Sequence, residues 1–170
     1  MSQTVKQPEE AKAVWKHPKV TELVKNKLKS YKAMQRKIHN QNQRLKTLKA
    51  SMGSASTSKI TGMPGGSGNG DSIEERQIIK KDELEYRIKK LKREEQELLE
   101  ELEALIEQLQ NPDEQAVIEM HYIDGMKWWP ISRALFDTEP DYEENAEKYL
   151  KRCHKIHSSA LQALAKILFP

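Results

Sequence analysis

Six of the chain's seven glycines, Gly53, Gly62, Gly65, Gly66, Gly68 and Gly70, fall between Ser51 and Asp71, among Ser, Thr, Met63 and Pro64. Glycine disfavours helix through backbone entropy, and about twenty structureless residues are too many for an ordinary loop of a compact domain. The spacing therefore predicts a flexible Gly-rich linker over 53–72, with an r.m.s. span of roughly 25 Å. It divides a chain of 170 residues into pieces too small for a large multidomain enzyme.

On either side, apolar residues recur with helical period. Before the linker they fall at Val20, Val24, Tyr31, Met34, Ile38, Leu45 and Leu48, with Leu23 and Leu28 widening the stripe. This predicts a basic amphipathic helix over 19–52, after an N-terminal tail at 1–18. Pro18 suits its first turn, because proline is tolerated there and turns the preceding residue away from helix. After the linker, Leu84, Ile88, Leu91, Leu98, Leu102, Leu105 and Leu109 follow a 4,3 spacing interrupted only by Glu95. That is the grammar of a coiled coil, expected over 73–110, capped by Asp71 or Ser72 and ended by Pro112. As a rod it would reach roughly 57 Å at 1.5 Å per residue.

Charge separates along the same divisions. Residues 1–60 carry 14 basic and 3 acidic groups, 61–110 carry 8 and 13, and 111–170 carry 7 and 10, so the net +3 is made of +11, −5 and −3. Opposite charges flanking the two seams favour pairing of the first helix with the second over self-pairing of either. Pairing within one chain and pairing between two chains both satisfy this, as does a basic helix that orders only on a partner. Apolar residues make up 36% of the chain against an ordinary ~45–50%. The last sixty residues are where a compact core fits. No apolar run reaches the ~18 residues of a membrane span, and the first sixteen residues lack the apolar segment of a secretory signal. A cytoplasmic protein with no membrane partner is expected.

The segment 111–170 reads as three helices. Asn111, Pro112 and Glu114 form a helix-start signature of capping residue, first-turn proline and capping-box carboxylate. The helix they open buries Ala116, Val117, Met120 and either Tyr122 or Ile123, and Gly125 ends it in a left-handed cap. Trp128, Ile131 and Leu135 define a short second helix with Pro130 in its first turn. After a break at 137–141, Asp141 and Glu144 form the capping box expected to open a long last helix. Its apolar stripe is Tyr142, Ala146, Tyr149, Cys153, Ile156, Ala160, Leu164 and Ile167. Helix, glycine turn, short helix, turn and long helix make a helix-turn-helix pattern, whose second helix of the pair lies in the major groove of DNA. Lys148, Lys151, Arg152, Lys155 and Ser159 recur at three- and four-residue steps away from the apolar stripe, a phosphate-contacting face if DNA is the ligand and a solvated face if it is not. The fold class expected is all-α: two long coiled-coil-like helices separated by a flexible linker, then a helix-turn-helix bundle.

The runs from Val117 to Gly125, Trp128 to Ser132 and Tyr149 to His157, followed by Ala160-Leu161, resemble region four of bacterial sigma factors. They are still more similar to the small RinA- and ArpU-type transcriptional regulators of phages and prophages, in which an upstream helix pair is also broken by a Met-Pro-Gly-like segment, here Gly62 to Gly66. The resemblance covers residues 20–168. It implies a regulator in a bacterial host cell that binds double-stranded promoter DNA of phage late genes, with RNA polymerase as a further partner and a homo-oligomer formed through the coiled coil. The sequence departs from the sigma pattern where Asp137, Glu139, Asp141, Glu143, Glu144 and Glu147 precede the last helix. Carboxylates there repel phosphate, so DNA contacts are expected from Lys148 onward, with Arg133 touching the backbone, and −3 is low for a DNA-binding module. The basic segment 12–49 is one source of the missing charge; alternatively, the acidic face meets another protein.

Other chemistry finds little purchase. Cys153 falls on the apolar stripe, and Cys153, His121, His154 and His157 lack a second ligand pair at zinc spacing, so neither a metal nor a disulfide is expected. The glycines carry no Lys-Ser or Lys-Thr ending of a phosphate loop, and no catalytic group is linked by a motif, so neither enzyme activity nor a cofactor is expected. Trp128 is expected in the core and Trp129 on a contact surface. The alternatives to a regulator are a small terminase subunit for DNA packaging and a helical adaptor that binds RNA polymerase or another protein without DNA.

Overall fold

The computed structural model describes residues 18–54 and 72–170. All regular structure among them is helical, as expected of the fold class: α1 Pro18–Ser54, α2 Ile73–Ile106, α3 Pro112–Ile118, a π-helical turn Glu119–Ile123, α4 Trp128–Phe136 and α5 Ala146–Leu168. The expected N-terminal tail, except Pro18, and the expected linker between 55 and 71 lie outside the described residues. Gly53, given to that linker above, is instead in the last turn of α1.

The described residues divide into two compact units, one of residues 18–32 with 99–170 and one of residues 33–54 with 72–98. In the second unit, the C-terminal part of α1 lies antiparallel to the N-terminal part of α2. Lys37 and Gln41 share a groove with Arg87, Leu91 and Glu94, whereas Arg44, Leu48 and Ser51 share one with Lys80 and Leu84. Residues withdrawn from solvent alternate by threes and fours on both helices: 34, 38, 41, 45, 48 and 52 on α1, and 77, 81, 84, 88, 91, 95 and 98 on α2. Such a pattern is that of a helix with one covered stripe, and Lys49 of α1 meets Glu85 of α2 at 2.7 Å within the unit. At the start of α2 the Ser72 hydroxyl accepts from the Glu75 amide at 3.1 Å, and the Ser72 amide donates to the Glu75 carboxylate at 2.8 Å, a complete capping box.

In the first unit, Lys27 of α1 pairs with Glu101 of α2. Val24 and Leu28 are fully buried, but Leu23, expected on the same stripe, is 54% exposed. α2 ends at Ile106, before Pro112: the Gln108 and Leu109 amides donate to the Leu105 and Ile106 carbonyls, and beyond the helix the Gln115 side chain donates to the Leu109 carbonyl at 2.9 Å. Asn111 opens α3 by accepting from the Asp113 amide at 2.9 Å, while Glu114, expected to close a capping box there, is buried.

Two local features depart from the expected helices. The chain leaves α3 through a π-helical turn, with Asp124 N–H donating to Glu119 O and Met126 N–H to Met120 O. This widened turn buries Tyr122 and leaves Ile123 half-buried, and Gly125 closes it at φ +69°. Secondly, α5 does not begin at Asp141. Residues 137–145 form turns, and Asp141 accepts from the Tyr149 hydroxyl at 2.5 Å and from the Asn145 side chain at 3.2 Å, so its carboxylate secures the turn to the helix instead of capping it. Tyr142, expected on the helix, is buried from the turn, with its hydroxyl donating to buried Ser132 at 3.4 Å. Val117, Ile131, Phe136, Tyr142, Tyr149 and Cys153 form the core that fixes α3, α4 and α5 together.

Candidate nucleic-acid interface

The side of α5 facing away from Tyr149, Cys153, Ala160 and Leu164 carries Lys148, Lys151, Arg152, Lys155 and Ser159, all exposed. Their three- and four-residue steps hold them on one face. Gln162 and Lys166, also exposed, continue that face for two further turns. Lys166 lies outside the expected contacts, because the sequence breaks the basic run after Lys155 with Ser159 and Gln162. Here Ser159, Gln162 and Lys166 border a groove of about 450 Å³ shared with Gln108, Asn111 and Glu114.

The expected contacts are held differently. The Arg152 guanidinium lies 4.7 Å from the centre of the Phe136 ring, so its stem is anchored to the core while its charge stays at the surface. Lys148 is drawn toward the acidic turn, 3.5 Å from Asp141, and Arg133 on α4 lies 3.3 Å from Glu143. The acidic turn thus reaches both helices and engages two of the six expected contacts. Both pairs are exposed, where ion pairs contribute about 0–1 kcal/mol, so a phosphate can displace the carboxylates. Lys151 and Lys155 make no ion pair among the described residues. The Tyr149 hydroxyl holds the Asp141 carboxyl below the usual range, and that carboxylate in turn pushes the Tyr149 phenol up to about 12.

On the α5 side nearer α1, aromatic rings close over one another. His121 stacks on Trp128 with centroids 4.2 Å apart, Trp128 meets His154 at 4.4 Å and His157 at 5.0 Å, and the Tyr122 hydroxyl lies 3.0 Å from His157 Nε2. Burial lowers the affinity of His121 and His157 for protons, with His157 brought down to about 4 and Lys25 of α1 adding to the effect. These rings are engaged in stacking and hydrogen bonding, and among the described residues no group of three or more His, Cys, Asp or Glu is arranged to hold a metal ion. Cys153 is fully buried, and burial raises its thiol. Trp128 is partly buried against the core, whereas Trp129 is 51% exposed beside Pro130, Arg133 and Glu143. Among the described residues no helix is long and apolar enough to cross a membrane.

The sequence profile of a family described as "Protein of unknown function (DUF1492)" matches residues 49–151, from the last turns of α1 to the first turns of α5. No curated protein and no solved structure matches the chain.

Proposed function

The chain belongs to the DUF1492 family, and we propose, from the geometry of its last three helices, that it is a transcription regulator that binds double-stranded promoter DNA through α5. The observation that carries this reading is the exposed polar and basic face from Lys148 to Lys166, set on the last helix of a helix, glycine turn, short helix and long helix succession. In such a succession the final helix enters the major groove and the helix before it meets the backbone, a role for Arg133. Lys151, Lys155 and Ser159 supply the base-edge and phosphate contacts, and Lys148 and Arg152 flank them. The resemblance to RinA- and ArpU-type regulators and to sigma region four makes phage late genes the target. No catalytic step is assigned to the chain. Selection of duplexes from a randomised pool tests the reading: enrichment of one motif is expected, and a pool that stays random contradicts it.

A second reading is favoured by Trp129. An exposed tryptophan in a groove of about 600 Å³ with Pro130, Arg133, Tyr142, Glu143 and Ala146, beside an acidic turn, suits a protein contact, and RNA polymerase is the partner this reading names. Trp129→Ala would then reduce transcription from the target promoter without changing DNA affinity. An equal loss of both contradicts it.

A further inference from the structure

The hairpin of the second unit has two unlike flanks. On one, Lys49 and Glu85 form an ion pair of 2.7 Å, the opposite-charge arrangement that coiled coils place beside a seam. The other flank is formed by the residues just before the seam positions 38, 45 and 52 of α1 and 81, 88 and 95 of α2, which are Lys37, Arg44, Ser51, Lys80, Arg87 and Glu94, four cations against one carboxylate. None of the four cations makes an ion pair among the described residues; Arg44 contacts only the Gln41 side chain, at 3.4 Å.

Two adjoining grooves run along this flank. Arg44 and Lys80 line one of about 410 Å³, and Lys37 and Arg87 line one of about 630 Å³ with exposed Tyr86 and Lys90. Glu83 and Glu94 border the larger groove, Glu94 lying 3.9 Å from Lys90, so two carboxylates stand among five cations, Lys37, Arg44, Lys80, Arg87 and Lys90, along the two grooves. The stretch of α1 from Ala33 to Ser54 has five Lys and Arg and no carboxylate. Like charges facing one another across a seam weaken a hairpin whose only task is to hold two helices together. On each helix the cations are seven residues apart, about 10.5 Å along the axis, so they line a linear track. A regular polyanion matches such a track, and its phosphates relieve the repulsion.

We propose that this flank is a sequence-independent binding site for the sugar-phosphate backbone of duplex DNA. It stands on the second unit alone and takes from the function proposed above only the choice of duplex DNA as the ligand. It supplies positive charge that residues 111–170, at −3, do not.

The test is titration of the full chain with a duplex of mixed sequence at salt concentrations between about 50 and 200 mM, beside the variant K37Q/R44Q/K80Q/R87Q. Each lost phosphate contact removes about 0.9 from the slope of log affinity against log salt, so a slope shallower by roughly two to four and at least about tenfold weaker binding are expected. Because repulsion is removed, the variant should melt at the same temperature or higher, and R44Q/K80Q alone should give about half the change in slope. An unchanged slope in a folded variant overturns the proposal, as does displacement of the duplex by polyglutamate at an equal charge concentration. Failure of the α5 reading looks different: the wild-type chain then prefers no sequence, while the quadruple variant still loses affinity for every duplex.

Discussion

The Tyr122 hydroxyl and His157 Nε2 lie 3.0 Å apart across 35 residues of sequence, tying the π-helical turn to α5. His157 sits among Trp128, His121, His154 and Lys25, and its proton affinity is brought down to about 4 against an ordinary 6.5. The unfolded chain therefore binds more protons than the folded one between these values. The contribution of His157 to stability is therefore expected to be full above about pH 6.5 and to be lost as the pH is lowered toward 4, a loss on the order of 2 kcal/mol once its partial exposure is discounted. His121, lowered in the same direction, adds to the loss. Urea unfolding at pH 7, 6, 5 and 4 checks this, and His157→Asn should flatten the profile.

Gly125 has φ +69°, and a Cβ added there would meet nothing closer than the Lys32 Nζ at 3.7 Å, an ordinary contact. The cost of Gly125→Ala is therefore backbone strain and not a clash. A loss of about 1–2 kcal/mol is expected in denaturant unfolding, with Gly125→Asn losing less because asparagine tolerates this region better.

Asp141 and Tyr149 predict a distinction within the acidic stretch. Tyr149→Phe keeps the ring against Phe136 and Tyr142 but removes the hydroxyl that Asp141 accepts from, and should lower the thermal midpoint by a few degrees. Asp137→Asn, exposed in the same stretch, should leave the midpoint unchanged.

Cys153 is fully buried beside Ser132 with its thiol raised. In the native protein a maleimide should label it at the rate of unfolding, and only denaturant should bring labelling to the rate of a free thiol.

The parts of the fold legible in the sequence are those fixed by local chemistry. Asn111 and Pro112 open a helix because their cap and missing donor act within one turn, and Gly125 marks the left-handed position that other residues avoid. The π-helical turn was not legible, since one extra residue in a hydrogen-bonded ring leaves no mark on composition, and it decided that Tyr122 and not Ile123 is buried. Asp141 misled for a related reason. A carboxylate three residues before a glutamate has the same signature whether it caps a helix or accepts from a tyrosine eight residues on. On α5, Lys148 to Ser159 were legible as an outward face because the apolar stripe defines its opposite side. The four cations beside the hairpin seam were not, because they become neighbours only once the register of α1 against α2 is known.

Sequence-specific binding of DNA by α5 is decided by the ratio of affinities for a selected operator and a scrambled duplex of equal length, measured at about 150 mM salt for the wild-type chain and for K151A/K155A. A wild-type ratio of about a thousand or more is expected, reduced at least tenfold in the variant while its thermal midpoint is unchanged. A wild-type ratio near one, or a ratio that K151A/K155A leaves intact, would contradict it.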